Sequence, residues 1–285
     1  MEIYVGLDIG GTKFMAASAN KEGKILHRVR ADTSTSLEKD LAQLQTMITE
    51  VSRGKTISGI GAAIGGPLDW KMGIVSPLHQ PAWRNVPLKE IMETKWNCPF
   101  FVDVDTNVAA LGEYSRSNLN VHKFVYLTLS TGMGGALIID GKVDRGLKGA
   151  HPEIGHQSIP YRCQYPQRVY CECGLSDCLE GLISGNAIRR IYQKPAEQLL
   201  PDEWEEVAYN LGQGLRNIAT LYAPDLIHIG GGVAIGGGEK LIQKTALVMQ
   251  DHLRLVPPPQ VRLSTLGYDT ALIGALTIAK EGLSQ

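Results

Sequence analysis

The pattern of apolar and polar residues along the chain predicts strands that alternate with helices. Short apolar runs that end in glycine or polar residues are typical of buried strands. They cover residues 3–7, 57–64, 100–104, 124–129, 224–229 and 261–266. Elsewhere apolar residues recur every three or four positions, which predicts helices with one buried face. These stretches are 36–53, 106–116, 179–192, 202–222, 239–253 and 271–281. Such alternation indicates an α/β protein.

Composition narrows the class of protein and its partners. The chain has 285 residues and a net charge of −1, so no broad positive surface for nucleic acid is expected. No apolar run is long enough to span a bilayer, so no membrane partner is expected either. The opening MEIYVGLDIGG lacks the features of a secretory signal. The five cysteines are an odd number, and three of them cluster, which favours a reducing, cytoplasmic compartment.

That cysteine cluster predicts a metal site. Cys171, Cys173 and Cys178 lie within eight positions, and His156 precedes them. Three thiolates and one imidazole form a closed tetrahedral zinc site of the Cys₃His kind. The alternative is a set of buried or disulfide-bonded cysteines. Cys163 is near enough in sequence to compete as a ligand.

Two strand–turn–strand segments rich in glycine resemble each other. They cover residues 3–19 and 124–140. Glycines in a turn let backbone N–H groups approach an anion closely, although such a turn alone is more often only a turn. Asp8 at the first strand end is a candidate for Mg²⁺, held through water. The repetition predicts two related halves, each with a phosphate-binding turn.

Several motifs together resemble the ROK family (repressors, open reading frames and sugar kinases). The most specific are E-I-G-H at 153–156 and C-E-C-G-L-S-D-C-L-E at 171–180. Supporting segments are D-I-G-G-T-K at 8–13, G-G-P-L-D at 65–69, P-L-H-Q-P-A-W at 77–83, V-D-V-D-T-N at 102–107, S-T-G-M-G-G at 130–135 and I-G-G-G-V at 229–233. The chain departs from the family at Gly65, His79, Val104, Ser130, Pro152 and Asp177.

The resemblance implies a two-lobed actin-like ATPase fold, related to ribonuclease H, with a zinc-bound loop. The N-terminal lobe is expected over residues 1–107, with the C-terminal helix 272–285 packing back onto it. The C-terminal lobe, with the zinc site, is expected over 108–271. A homodimer is expected because dimers are usual in the family.

The resemblance also implies ATP-dependent phosphorylation of a hexose, with the 6-hydroxyl of glucose as the first choice. Asp105 is the expected catalytic base. On the residues alone, the helix N-cap before Thr106 is the favoured interpretation, and the surrounding motifs favour the base. The expected phosphate and ATP contacts are Asp8, Gly10, Gly11, Thr12, Lys13, Thr131, Gly132, Gly134, Gly231 and Gly232. The expected sugar contacts are Gly66, His79, Asp105, Glu153, His156 and Glu180. Asp8 would hold Mg²⁺, and His156 with the three cysteines would hold Zn²⁺.

Two positions leave the substrate open. Val104 and His79 stand where the family has asparagines that bind the sugar, and a valine cannot hold a hydroxyl. Fructose, allose, N-acetylmannosamine or a glycoside are therefore alternative substrates. A non-catalytic sugar-binding protein is a further alternative. ROK repressors carry a DNA-binding domain before the first phosphate motif, which begins at residue 8 here, and this favours the kinase.

Overall fold

A computed structural model describes residues 2–117, 119–251 and 253–283. The chain forms two compact units. The first unit contains the described residues of 1–119, 145–150 and 269–285, and the second contains those of 120–144 and 151–268. This division differs from the predicted lobe boundary at residue 107, which lies inside a helix. That helix, 105–116, stays whole in the first unit because it packs on the C-terminal helix.

The first unit is built on a five-stranded sheet. Its strands are β1 (Ile3–Ile9), β2 (Lys13–Ala19), β3 (Ile25–Asp32), β4 (Ile57–Ile64) and β8 (Phe100–Val104). Their order is β3-β2-β1-β4-β8, in which β1, β4 and β8 run parallel and β2 is antiparallel to β1 and β3. The parallel strands are apolar on both faces because helices cover them. A second, small sheet pairs β5 (Leu68–Asp69), β6 (Ile74–Val75) and β7 (Val86–Pro87).

Within the described residues, four α-helices complete the first unit. They are α1 (Leu37–Ser52), α2 (Leu88–Trp96), α3 (Asp105–Arg116) and α8 (Thr270–Glu281). The Ser36 hydroxyl caps α1 by accepting from the Lys39 N–H. Helix α8 lies very close to β4, since a side chain at Gly61 would collide with the Ala275 carbonyl. Glycine is required there for packing and not for its backbone freedom.

The second unit repeats this sheet. Its strands are β9 (Lys123–Leu129), β10 (Met133–Ile139), β11 (Lys142–Val143), β12 (Leu226–Gly230) and β13 (Gln260–Leu263). Their order is β11-β10-β9-β12-β13, with β9, β12 and β13 parallel and β10 antiparallel to β9. Both predicted hairpins are therefore present, and both units place the hairpin in the same position of the sheet.

The helices of the second unit are α4 (Leu179–Ile183), α5 (Gly185–Tyr192), α6 (Pro201–Tyr222) and α7 (Gly232–Asp251). The single helix predicted over 179–192 was wrong, because Ser184 ends α4 and its hydroxyl caps α5 by accepting from the Ala187 N–H. Helix α7 contains one non-helical residue, Gly238, so the predicted helix over 239–253 is preceded by a short helical segment that begins at Gly232. Within the described residues, no helix combines the length and apolarity needed to cross a bilayer.

Candidate functional site

The residues predicted for catalysis in the first unit meet at one edge of its sheet. The parallel strands β1, β4 and β8 all end there, and we call it the carboxyl edge. Register pairs Asp8 with Ala63 and Ala63 with Asp103, so the strand ends are level. The turn at residues 10–12, the loop that starts at Gly65 and the start of α3 at Asp105 follow these ends directly. The carboxyl edge of a parallel sheet is where α/β proteins bind ligands.

Two carboxylates at this edge, Asp8 and Asp105, interact electrostatically. Burial, together with the negative charge of Asp105, raises the pKa of Asp8 from 3.8 to about 6, and the nearby Lys13 opposes the shift. Desolvation and a like charge both disfavour the ionised acid, so each pushes the pKa upward. The structure therefore brings the predicted magnesium residue and the predicted base close enough to interact. A divalent cation is the natural partner for such a pair of charges.

Asp105 does not cap helix α3. The helix begins at Asp105 itself, and Val104 is the preceding cap residue without a side-chain bond. One carboxylate oxygen of Asp105 accepts the Thr106 N–H at 2.8 Å, and the side chain is exposed. The N-cap alternative considered from the sequence is therefore wrong. Asp105 is therefore an exposed acid in the first turn of α3, at the carboxyl edge.

The first predicted phosphate turn, at residues 10–12, is supported from two sides. Thr33 donates its hydroxyl to the Gly10 carbonyl at 2.8 Å and its N–H to the Thr12 carbonyl at 3.1 Å. On another side lies the loop that carries His79, whose Cβ is 3.3 Å from the point that a Cβ on Gly11 would occupy. Any side chain at Gly11 would therefore press on this loop.

The loop from Ser76 to Asn85 is anchored by a buried side chain. Trp83 is fully buried and donates its indole N–H to the buried carboxylate of Asp40 at 3.0 Å. Arg84 donates to the carbonyls of Ser76 and Pro77 and so ties the loop to itself. The loop before β5 contains the predicted sugar contact Gly66, which precedes a cis Gly66–Pro67 bond. The two predicted sugar loops are joined to each other, because the Leu78 N–H donates to the Gly66 carbonyl at 3.0 Å.

In the second unit the predicted phosphate turn lies beside the glycines at the start of α7. The turn spans 130–132 and the register pairs Gly230 with Thr128 on the neighbouring strand. Gly231 has φ +90, and a Cβ there would lie 2.6 Å from the Leu129 carbonyl carbon. Only glycine satisfies both conditions. The predicted nucleotide residues Gly231 and Gly232 are thus next to Thr131, Gly132 and Gly134.

Glu180 contacts this second turn. Its Oε2 atom accepts the Met133 N–H at 2.8 Å and lies 3.3 Å from the position of a Cβ on Gly132. Glu180 also lies in the first turn of α4, where the helix dipole favours an acid. The start of α5 supports the turn as well, because the Gly185 N–H donates to the Ser130 carbonyl at 2.7 Å. This supporting role was not predicted from the sequence.

Four side chains form the predicted metal cluster. One ligand atom from each of His156, Cys171, Cys173 and Cys178 lies within 4.8 Å of the other three. A tetrahedral zinc with Zn–S bonds of about 2.3 Å needs ligands separated by about 3.8 Å, so the set fits zinc with small adjustments. The His156 Nδ1 atom is 3.5 Å from the sulfurs of Cys171 and Cys178. Nδ1 is therefore the nitrogen available to the metal.

The thiols of the cluster differ in acidity. A backbone N–H bond lowers the pKa of Cys173 to about 7, whereas burial raises the pKa of Cys171 and raises that of Cys178 to about 12. All five cysteines are free thiols. A divalent cation would keep all three cluster thiols deprotonated, because its positive charge stabilises the thiolates. The disulfide alternative does not hold.

The other side of His156 faces an acid. Its Nε2 atom is 4.0 Å from Glu153, and Glu153 is 3.5 Å from the His151 Nε2 atom. Glu153 is 62% exposed. A carboxylate behind a metal-bound imidazole orients the ring and raises its basicity. The predicted sugar residues Glu153 and His156 are therefore neighbours.

The long stretch between His156 and Cys171 is folded onto α6. The Arg162 N–H and carbonyl both bond to the Asn210 side chain, at 2.9 and 2.8 Å. Cys163 packs against the core and is not part of the metal cluster, so it does not compete as a ligand. Asp177, which departs from the family pattern, accepts the Ser158 hydroxyl and fastens the stretch at its other end.

A buried ion pair beside Asp105 was not predicted from the sequence. Asp103 is 1% exposed within the apolar strand β8 and pairs with Arg145. A carboxylate amid apolar strand residues is the signal that could have revealed it, since buried charges need partners. The identity of the partner could not be read from the chain, because Arg145 is 42 positions away.

Comparison with known proteins defines the class. The model of the ROK family matches residues 4–282, so the chain belongs to the ROK family. Its α/β fold is that of ROK sugar kinases, the actin-like ATPase fold. The chain is similar to a ROK hexokinase from Thermus thermophilus, with 30% identity, 97% of both chains covered and a TM-score of 0.82.

Two further relatives differ in their named activity. A ROK family glucokinase from Streptomyces griseus, solved with glucose and AMPPNP, shares 28% identity at a TM-score of 0.80, and covers 98% of this chain and 100% of its own. A fructokinase from Zymomonas mobilis is 32% identical over 98% of this chain and 96% of its own. Similarity at this level places the chain among relatives with more than one sugar specificity.

Proposed function

We propose that this protein is an ATP-dependent sugar kinase whose first-choice reaction is phosphorylation of the 6-hydroxyl of glucose. The observation that carries the proposal is the meeting of Asp105, Asp8 and the 10–12 turn at one carboxyl edge. A base, a cation site and a phosphate turn are the parts that phosphoryl transfer needs. The similarity to a glucokinase solved with glucose and AMPPNP supports the same reaction.

In this proposal Asp105 accepts the proton of the sugar hydroxyl while the hydroxyl oxygen attacks the γ-phosphorus. The bond between the γ-phosphorus and the ADP oxygen breaks, and ADP leaves with that electron pair. The N–H groups of Gly11 and Thr12 bind phosphate oxygens. Gly10, whose N–H donates to the Lys13 carbonyl at 3.0 Å, contacts the phosphate through the rest of its backbone, and Lys13 adds positive charge. Mg²⁺ near Asp8 supplies further positive charge to the triphosphate when bound.

The second unit contributes nucleotide and sugar contacts. Thr131, Gly132 and Gly134 bind phosphate oxygens, while Gly231 and Gly232 lie against the nucleoside. Glu153, His156 and Glu180 bind sugar hydroxyls, as do the loops of Gly66 and His79 in the first unit. His156 and the three cysteines hold zinc, which keeps the segment around Glu153 in place. The close approach of Glu153 to His156 supports this link between metal and sugar site.

A second candidate is a kinase for another hexose or a glycoside. The supporting observation is Val104, which is buried to 8% exposure beside Asp105 and offers no side-chain hydrogen bond. The similarity to a fructokinase points the same way. Fructose is therefore the first alternative, followed by allose, N-acetylmannosamine and simple glycosides.

A coupled assay of ADP release tests both candidates. The zinc-loaded protein is tested with ATP and Mg²⁺ against glucose, fructose, mannose, allose, N-acetylmannosamine and methyl glucoside. The Asp105→Asn variant, prepared identically, controls for contaminating kinases. Phosphorus NMR of the product identifies the hydroxyl that reacts. Turnover that is absent with every sugar, while calorimetry still detects sugar binding, would favour a non-catalytic sugar-binding protein. A homodimer and a cytoplasmic location stay predictions.

A further inference from the structure

Asp103 links the residues on both sides of Asp105. Its Oδ1 atom accepts the Val104 N–H at 2.7 Å and the Asn107 side-chain N–H at 3.1 Å. Val104 precedes Asp105 and Asn107 lies two residues after it. One buried carboxylate therefore fixes the backbone on both sides of Asp105, and with it the orientation of the Asp105 side chain.

Arg145 compensates the charge of Asp103. Two guanidinium nitrogens of Arg145 reach the two oxygens of Asp103, at 2.5 and 3.3 Å. The Arg145 side chain is 14% exposed, so water screens this pair little. A planar guanidinium that binds a carboxylate with two bonds fixes orientation as well as charge.

Trp70 fixes Arg145 from its other face. The guanidinium lies 3.9 Å from the centre of the Trp70 ring, a cation–π contact. The short segment 145–150, which belongs to the first unit, closes on itself around this contact. The Gly146 N–H donates to the Ala150 carbonyl at 2.8 Å, and the Gly149 N–H donates to the Gly146 carbonyl at 3.0 Å. The guanidinium is thus held between an aromatic ring and a carboxylate.

We propose that Arg145 is a positioning residue for Asp105, acting through Asp103. This inference rests on the proposed function, because it assigns Arg145 to the base of that reaction. Without Arg145, Asp103 is a buried charge with no cationic partner, and it turns away or takes up a proton. Its bonds to Val104 and Asn107 then weaken, and Asp105 loses its fixed direction. A displacement of about 1 Å at a reacting group lowers turnover about 10²-fold.

The kinetic test compares Arg145→Met, Arg145→Lys and a matched control. Arg145→Met keeps the length of the side chain without its charge, and we expect kcat to fall roughly 30- to 100-fold with KM for ATP and sugar within about threefold. Arg145→Lys keeps the charge but cannot form the bidentate pair with Asp103, and its kcat should fall roughly tenfold. The control is Arg28→Met, which removes an exposed pair with Asp269 in the same unit and should change kcat less than about twofold.

Chemical rescue separates positioning from general stability. Guanidinium ion at tens of millimolar should restore part of the kcat of an Arg145→Ala variant, whereas sodium at the same ionic strength should not. A stabilising role alone would lower the melting temperature without a selective loss of kcat. If Arg145→Met does not fold, the double variant Asp103→Asn/Arg145→Met removes both buried charges and replaces it. Where Arg145→Met folds, the double variant should lose less kcat than the product of the two single losses. Where Arg145→Met does not fold, kcat of the double variant should still fall at least about tenfold relative to the wild type, and an unchanged kcat would overturn the positioning role.

Hydrogen exchange gives a readout that does not need turnover. The Val104 amide should exchange at least about tenfold faster in Arg145→Met than in the wild type or Arg28→Met, because its acceptor has lost its orientation. Unchanged kcat in Arg145→Met, or an unchanged Val104 exchange rate, would overturn the positioning role. If the wild type phosphorylates no sugar, the proposed function fails, and the exchange rates alone decide whether Arg145 orders the segment around Asp105.

Discussion

The two compact units share one sheet plan but differ in the groups they carry. Each has a hairpin next to two parallel strands, and each hairpin turn has three residues, 10–12 and 130–132. Aligning the turns places Asp8 opposite Thr128 and Lys13 opposite Met133. The first unit therefore has a charged turn, and the second has a neutral one. The two units therefore share one arrangement of strands, whereas the charged groups available for binding and catalysis differ at the strand ends.

The two turns are also supported differently. The first is held by Thr33 from the neighbouring strand and approached by the His79 loop. The second is held by a carboxylate, Glu180, and by the first turn of α5. A turn that binds phosphate needs N–H groups that are not already bonded. Thr33 bonds to carbonyls of the first turn and uses none of its N–H groups, whereas Glu180 accepts the Met133 N–H next to the second turn.

Four predictions test how the two units differ.

The largest expected effect concerns the proposed base of the first unit. Asp105→Asn keeps an oxygen that can accept the Thr106 N–H but cannot take up the proton of the substrate. We expect kcat to fall at least about 10²-fold with little change in melting temperature. Steady-state kinetics on the best sugar measures this. A matched control is Glu38→Gln, an exposed acid of α1 in the same unit, which should leave kcat unchanged. A fall of less than about fivefold would remove Asp105 from the base role.

The next effect concerns the metal cluster of the second unit. Cys171→Ser should lose most of the bound zinc and lower the melting temperature by roughly 5 °C or more, because the closed ligand set is broken. Elemental analysis of the purified protein counts the metal. Cys163→Ser is the matched control, since Cys163 lies outside the cluster, and it should keep its zinc. Wild-type protein without zinc would contradict the assignment of the site.

A smaller effect concerns the packing of the first sheet on α8. Gly61→Ala forces a methyl group into the Ala275 carbonyl and should lower the free energy of unfolding by roughly 3 kcal/mol. Gly236→Ala in the second unit is the control, because the space around its Cβ position is open. Alanine is the better helix former, so this change should be neutral or stabilising by up to about 1 kcal/mol. Urea unfolding measures both, and equal effects would refute the packing argument.

The smallest effect is the pH dependence that Asp8 contributes in the absence of magnesium. Its pKa in the folded protein is about 6 against an ordinary 3.8, so the folded state binds this proton more tightly than the unfolded chain. The contribution of Asp8 to the free energy of unfolding therefore falls as pH rises from about 4 to about 6.

Asp8→Asn should remove this pH-dependent fall. Asp105→Asn should reduce it, because one of the two causes of the raised pKa disappears. Urea unfolding of the three proteins between pH 4 and pH 7 measures the difference. Parallel stability curves for the wild type and Asp8→Asn would show that Asp8 has an ordinary pKa. Thr128 offers no corresponding group in the second unit.

Much of the fold could be predicted because it follows from local pattern. The apolar runs gave β4 and β8 at their observed bounds, and the spaced apolar residues gave α1 and α6 to within one residue at each end. The break between α4 and α5 was missed because Ser184 is compatible with a helix interior unless its hydroxyl caps the next one. The cysteine spacing predicted the metal cluster, because its ligands are close in sequence.

Sequence by itself determined the order of strands and helices along the chain, the two glycine turns and the grouping of His156 with three cysteines that could hold a metal, since each depends on residues near one another in the chain. Only the tertiary structure decided that Asp8 and Asp105 share one edge, that Glu180 supports a turn, and that Asp103 is paired with Arg145 over Trp70. These contacts join residues 42 to 97 positions apart, and such pairings depend on how strands and helices pack. The physical reason is that a charge is shifted, paired or positioned by what surrounds it in space, and the chain order does not state those neighbours.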